Sequence, residues 1–219
     1  MTRLDCVVPI YKILEEGKKD FQGSGVLMKI KGIPWLVTCD HIFREPGSYV
    51  FRFKGENIPI DGDSAHFLRK YGDEHLPKLP EDSPIYRPTN KLDVAFYMLP
   101  RLEFSSLIEF GDTTSVKADD ELEYVGHNPD TGEKIMLSCK RGKYADERVC
   151  MQNDYGQGRD YLNLIRIQLE GIGGYSGGPI FKKGTNECIG LLIRGKNGKV
   201  SIIKGQTYIP MLEQLLKEF

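Results

Sequence analysis

The chain has 219 residues, 40 % of them apolar, enough for one large domain or two small ones packed together. Thirty Lys and Arg against 31 Asp and Glu leave a net charge of −1. That balance excludes the basic excess of a general nucleic-acid binder and the charge imbalance of a disordered chain. No apolar run reaches bilayer-spanning length, so no membrane association is expected.

In chain order, the N-terminus MTRLDCVVPIYKILEEGKK is broken by Asp5, Pro9 and Lys12. It has neither the apolar core nor the cleavage site of a secretory leader. The expected location is therefore the cytoplasm, unless a leader has been trimmed. Residues 25–30 and 33–38 flank Lys31-Gly32 and predict a hairpin, with Trp35 as a core or barrel-surface aromatic. Residues 49–53 predict a further strand. Residues 55–84 hold seven acidic and three basic side chains with several prolines and glycines, the composition of a long solvated surface excursion. His66 and His75 fall in it. A strand over 92–99 is ended by Pro100. His127, in VGHNP, reads as part of a turn. The charged stretch 140–148 reads as a solvated hairpin.

Residues 165–169 alternate apolar and polar, as a half-buried strand does. Strands over 189–193, 200–203 and 206–209 continue the series. Between 178 and 208 stand six basic side chains and one acidic, which predicts a solvated face and a weak surface for an anionic partner. Pro210 then opens a helix over 210–219, with Leu212, Leu215, Leu216 and Phe219 on one stripe. Many short strands, no solenoid repeat and one terminal helix imply an all-β barrel or sandwich. The five cysteines (Cys6, Cys39, Cys139, Cys150, Cys188) are odd in number and form no CxxC. They predict reduced, mostly buried thiols, with no disulfide framework and no zinc site.

Chemistry concentrates in GGYSGGP at 173–179. A serine hydroxyl needs a base to become a nucleophile, and donors to hold the oxyanion formed next. Glycines around Ser176 let the chain turn backbone N–H groups inward, those of Gly174 and Ser176 being the expected donors. A short apolar strand over 179–181 returns the chain to the core. LVTCDH places His41 directly after an apolar strand, and KLDVAF places Asp93 at the start of another. A buried acid there would accept Nδ1–H of His41 and fix its tautomer.

These segments resemble the chymotrypsin-like (trypsin-like) serine peptidases, most closely the bacterial Deg/HtrA-type peptidase domain without PDZ. GSGV at 23–26 resembles the opening of the first barrel. TCDH resembles the family's T-x-x-H, LDVAF its aspartate motif and GGYSGGP its G-x-S-G-G-P. IGLLIRG followed by GQTYIP resembles the last strands and terminal helix. The resemblance covers about residues 21–219. It implies a double six-stranded β-barrel with a C-terminal helix, as one peptidase domain over 1–219. The N-terminal barrel would run to about 105, the C-terminal barrel over about 106–209 and the helix over 210–219.

The resemblance also implies a serine endopeptidase without metal or cofactor. Ser176 would be the nucleophile, His41 the general base and acid, and Asp93 the orienter, with Gly174 and Ser176 forming the oxyanion hole. The substrate, a polypeptide, would meet Glu170 and Gly171 at the specificity pocket and pair with Ile193, Arg194 and Gly195. Glu170 either favours a basic P1 side chain or pairs with Arg194 and leaves the pocket neutral. Tyr175 stands where trypsin-type enzymes carry the aspartate that captures a new N-terminal amine, so activation by zymogen cleavage is not expected. Two other readings stay open: a peptidase of low basal activity awaiting an activating or targeting protein partner, and a catalytically idle peptide-binding module.

Overall fold

In the computed structural model, residues 2–43, 45–60, 94–99, 101–106, 108–111, 116–141, 147–152, 159–169, 174–196 and 199–204 are described. β1 (Val7–Ile13) returns through a 3-10 turn into β2 (Lys19–Ile30), with a bulge where Tyr11 pairs with Phe21. The sequence gives β1 no alternation because it is buried at Val7, Val8 and Ile10. Pro9 is tolerated there because the next ladder, to β4, starts only at Ile10.

β2 and β3 (Ile33–Thr38) form the hairpin expected at Lys31-Gly32. Both turn residues have positive φ, the geometry that matches strand twist. Trp35 is buried in the core, edge-on to Phe96. β4 (Ser48–Phe53) and β5 (Glu56–Ile60) repeat the pattern across Lys54-Gly55. The acidic stretch is therefore not loop from its start. Its first residues form an edge strand, with Ile60 buried and Ile58 partly buried. Residues 61–84, with His66 and His75, lie outside the described residues. β6 (Ala95–Met98) pairs with β3, Thr38 opposite Ala95, and completes a six-stranded sheet in the order β5-β4-β1-β2-β3-β6.

The second sheet contains β7 (Glu109–Phe110), β8 (Glu121–His127), β9 (Lys134–Arg141), β10 (Glu147–Gln152), β11 (Arg159–Gln168), β12 (Pro179–Lys182), β13 (Glu187–Lys196) and β14 (Lys199–Lys204). Its order is β10-β11-β14-β13-β12-β8-β9, and β11 also pairs with β9. That extra pairing closes β11, β14, β13, β12, β8 and β9 into a ring of six strands. The fold is thus all-β and of the chymotrypsin-like double-barrel type. The strand expected at 206–209 and the helix expected at 210–219 lie outside the described residues.

The charged stretch 140–148 is not a hairpin. Lys140 and Arg141 pair with Gln168 and Ile167, and Glu147 pairs with Leu164. β9 and β10 therefore run end to end along one edge of β11, and the hairpin is β10–β11. Single-strand patterning does not separate these arrangements, because register with a distant partner decides between them.

The two sheets share a core. The larger apolar cluster joins Val8, Leu27, Leu36 and Phe96 of the first to Val125, Phe181, Leu191 and Ile193 of the second. Arg3 fastens the N-terminus to the second sheet through Glu123 and the Thr185 carbonyl, its guanidinium lying over Phe181. Cys6, Cys39, Cys139 and Cys188 are buried, and burial pushes the thiols of Cys139 and Cys188 up to about 12.

Candidate active site

Ser176 sits in the glycine turn that feeds β12, at the seam between the sheets. Its carbonyl accepts the N–H of Ser24 on β2 at 2.9 Å. Gly177 N–H donates to the Leu192 carbonyl at 2.7 Å, and Leu192 N–H returns to the Gly178 carbonyl at 2.9 Å. The turn is thus fixed to the first sheet on one side and to β13 on the other. The Ser176 hydroxyl is partly buried and donates to the Ile193 carbonyl at 3.4 Å. Ile193 falls at the register break between β13 and β14, so its backbone is released from β14 toward Ser176.

His41 is half-buried in a short 3-10 helix, Asp40–Phe43, directly after β3. Ile42 and Phe43 are buried and pin that helix to the core. A Cβ on Gly23 would lie 2.7 Å from both Ile42 Cδ1 and the Ser176 carbonyl. Ile42, next to His41, and the backbone of Ser176 therefore meet at Gly23, with room for no side chain.

Of the other sequence-predicted residues, Gly174 lies against Pro129 and Phe21, and Ile193 faces the Ser176 hydroxyl. The backbones of Arg194 and Gly195 continue β13 opposite Ser201 and Val200. Asp93, Glu170 and Gly171 lie outside the described residues. Among the described residues no group of three or more His, Cys, Asp or Glu is placed to hold a metal ion.

Sequence reasoning missed the polar support behind the turn. Ser24 and Thr38 are buried, and Thr38 Oγ1 donates to the Ser24 carbonyl at 2.6 Å. His127 is not in a turn. It is the last residue of β8, buried, with its backbone N–H donating to Ser24 Oγ at 3.0 Å and its Nδ1 3.2 Å from the same oxygen. Its apolar run, LEYVGH, was the available signal. Tyr124 and Tyr175 stack at 5.2 Å, and the Tyr124 hydroxyl donates to the Tyr175 carbonyl at 3.0 Å.

Burial, and then the charge of Lys134, push the pKa of His127 down from 6.5 to about 3. The unfolded chain takes up a proton near pH 6.5 that the folded chain refuses until about pH 3. Stability is therefore full above the unfolded value and falls, as pH drops between the two, by up to about 1.4 kcal/mol per pH unit. Urea midpoints followed from neutral to acid pH should show this slope, and His127→Asn should flatten it. Equal slopes in the two proteins would rule out the ring as its source.

A cleft of about 1250 Å³ opens elsewhere, between β1, the Lys54-Gly55 turn, residues 102–105 and the β8–β9 hairpin. It reaches His127 but is lined by neither Ser176 nor His41, so concavity alone would misplace the site.

Residues 23–191 match the sequence profile of the trypsin-like peptidase domain. The chain belongs to that family. The peptidase is similar to the protease Rv3671c from M. tuberculosis in its active form, at 14 % identity and a TM-score of 0.69, over 96 % of this chain and 81 % of that one. An inactive form of the same protease matches at 13 % identity and 0.64, over 97 % and 89 %. The HtrA-type protease AlgW, solved with a decapeptide, matches at 12 % and 0.65, over 98 % of this chain and 65 % of that one. At such identities the likeness establishes the double-barrel fold, while the family match makes the enzyme a serine endopeptidase with polypeptide substrates. No curated protein matches the chain in sequence. No helix among the described residues is long and apolar enough to cross a membrane.

Proposed function

We propose that the peptidase cleaves peptide bonds through a Ser176–His41–Asp93 triad and an acyl-enzyme. The observation that carries this is the meeting of the Ser176 turn with the His41 helix at Gly23, tied by the Ser24 N–H on the Ser176 carbonyl. The register of β6 supports the choice of Asp93: Ala95, two residues on, stands opposite Thr38 at the end of the strand that leads to His41. We read the whole as one peptidase domain because the two sheets share an apolar core, while their strands segregate along the chain on either side of about residue 105.

In the first half-reaction His41 takes the Ser176 proton as Oγ attacks the scissile carbonyl, and Asp93 stabilises the imidazolium. The N–H groups of Gly174 and Ser176 hold the oxyanion. His41 then protonates the leaving amine. Water then attacks the acyl carbon and gives a proton to His41, which passes it to Ser176 Oγ as the acid leaves. The released backbone at Ile193, continued by Arg194 and Gly195, pairs with the substrate, and Glu170 and Gly171 line the pocket for P1.

The test is labelling by a fluorophosphonate. Wild type should label, Ser176→Ala should not, and His41→Ala and Asp93→Asn should slow labelling on the order of a thousandfold. Labelling that survives Ser176→Ala would move the nucleophile elsewhere. A folded wild type that never labels would sink the constitutively active enzyme and leave the partner-dependent peptidase or the idle peptide-binding module.

A further inference from the structure

We propose that His127 is a positioning residue for Ser176, acting through Ser24; the inference rests on the reading of Ser176 as nucleophile. Ser24 joins three segments. Its N–H holds the Ser176 carbonyl at 2.9 Å, and its own carbonyl accepts Thr38 Oγ1 at 2.6 Å, three residues before His41. The nucleophile's turn and the strand that leads to the base are thus both referred to one peptide of β2. That peptide is fixed in turn by its side chain. Ser24 Oγ accepts the His127 backbone N–H and is hydrogen-bonded to Nδ1 of the ring.

His127 comes from the second sheet, so the pair crosses the seam that the site straddles. Ser24 is fully buried and His127 nearly so, so a partner lost between them is costly to leave unmade. The chain after His127 closes the link from the other side, since Pro129 packs on Gly174. Loss of the Nδ1 partner leaves the Ser24 hydroxyl to the Tyr124 phenol, its other side-chain neighbour, and loosens the peptide that holds Ser176. A shift below 1 Å in a nucleophile's carrier is enough to slow attack by one to two orders of magnitude.

The experiment compares wild type, His127→Asn, His127→Phe and Ser24→Ala. Phosphonate labelling rate is read beside amide hydrogen exchange at Ser24 in the folded proteins. Asn keeps a hydrogen-bonding group near the Nδ1 position and should label within a few fold of wild type. Phe should label about tenfold to a hundredfold more slowly, with faster exchange at Ser24. Ser24→Ala, nearly isosteric, should follow Phe and keeps the test decisive if the Phe variant does not fold. Wild-type labelling and wild-type Ser24 exchange in folded His127→Phe or Ser24→Ala would overturn the proposal. No labelling of wild type would instead remove the reading of Ser176, and the inference with it.

Discussion

Gly177→Ala is expected to abolish phosphonate labelling, by about a thousandfold or more, and to lower the urea midpoint. Gly177 has φ +80, a left-handed conformation that an L side chain resists by about 1–2 kcal/mol. The larger effect is spatial. A Cβ there would lie 2.0 Å from the Ser24 carbonyl oxygen and 2.3 Å from Thr38 Oγ1, against both partners of a 2.6 Å hydrogen bond. One obstacle is backbone and the other a buried hydroxyl, so neither swings away. The turn must lift off β2, which breaks the Ser24–Ser176 bond and draws the Gly177 N–H from the Leu192 carbonyl. A destabilisation of about 3 kcal/mol is expected. Gly184→Ala is the control: φ is +71 there, but a Cβ would meet nothing within 4 Å. It should lose about 1 kcal/mol and label normally. If Gly177→Ala labels at the wild-type rate, the contact of the turn with Ser24 is not what places Ser176.

The parts of this arrangement legible in the sequence are those whose cause is local. The glycine turn around Ser176, the Lys31-Gly32 hairpin and the apolar strand before His41 each announce themselves within a few residues. What stayed hidden depends on distant partners. β1 is buried on both sides and shows no alternation. The stretch 140–148 reads as a hairpin until β11 is seen to take both β9 and β10 on one edge. His127 reads as a turn residue because Asn128-Pro129 follow, although Ser24, over a hundred residues away in sequence, accepts its N–H. The acidic count of the stretch hides residues 55–60, although Ile58 and Ile60 stand two apart there and pair with Phe51 and Tyr49 of β4.

Tyr175→Ala is expected to slow labelling about a hundredfold and to remove about 3–5 kcal/mol of stability. Trypsin-type enzymes hold this turn with an ion pair from the aspartate that stands at this position. Here Tyr175 is buried and stacked on Tyr124, whose hydroxyl takes the Tyr175 carbonyl. Burial first, and then the neighbouring Tyr175, push the Tyr124 phenol well above its ordinary range. It remains a neutral donor at any working pH. The space for its ring is made by two glycines: a Cβ on Gly126 would lie 1.8 Å from the Tyr124 hydroxyl oxygen, and one on Gly178 2.5 Å from its ring. The stack thus supports the turn from beneath, as Ser24 does from the first sheet. Tyr124→Phe separates the ring from the hydrogen bond. It keeps the stack, leaves the Tyr175 carbonyl with only the 3.4 Å bond from Gly178 N–H, and should lose about 1–3 kcal/mol with a severalfold slower labelling rate. The order wild type, Tyr124→Phe, Tyr175→Ala in both midpoint and labelling rate would show that packing and hydrogen bond together replace the ion pair. A Tyr175→Ala protein that is destabilised yet labels at the wild-type rate would confine the stack to the core and leave the turn to Ser24 and Leu192 alone.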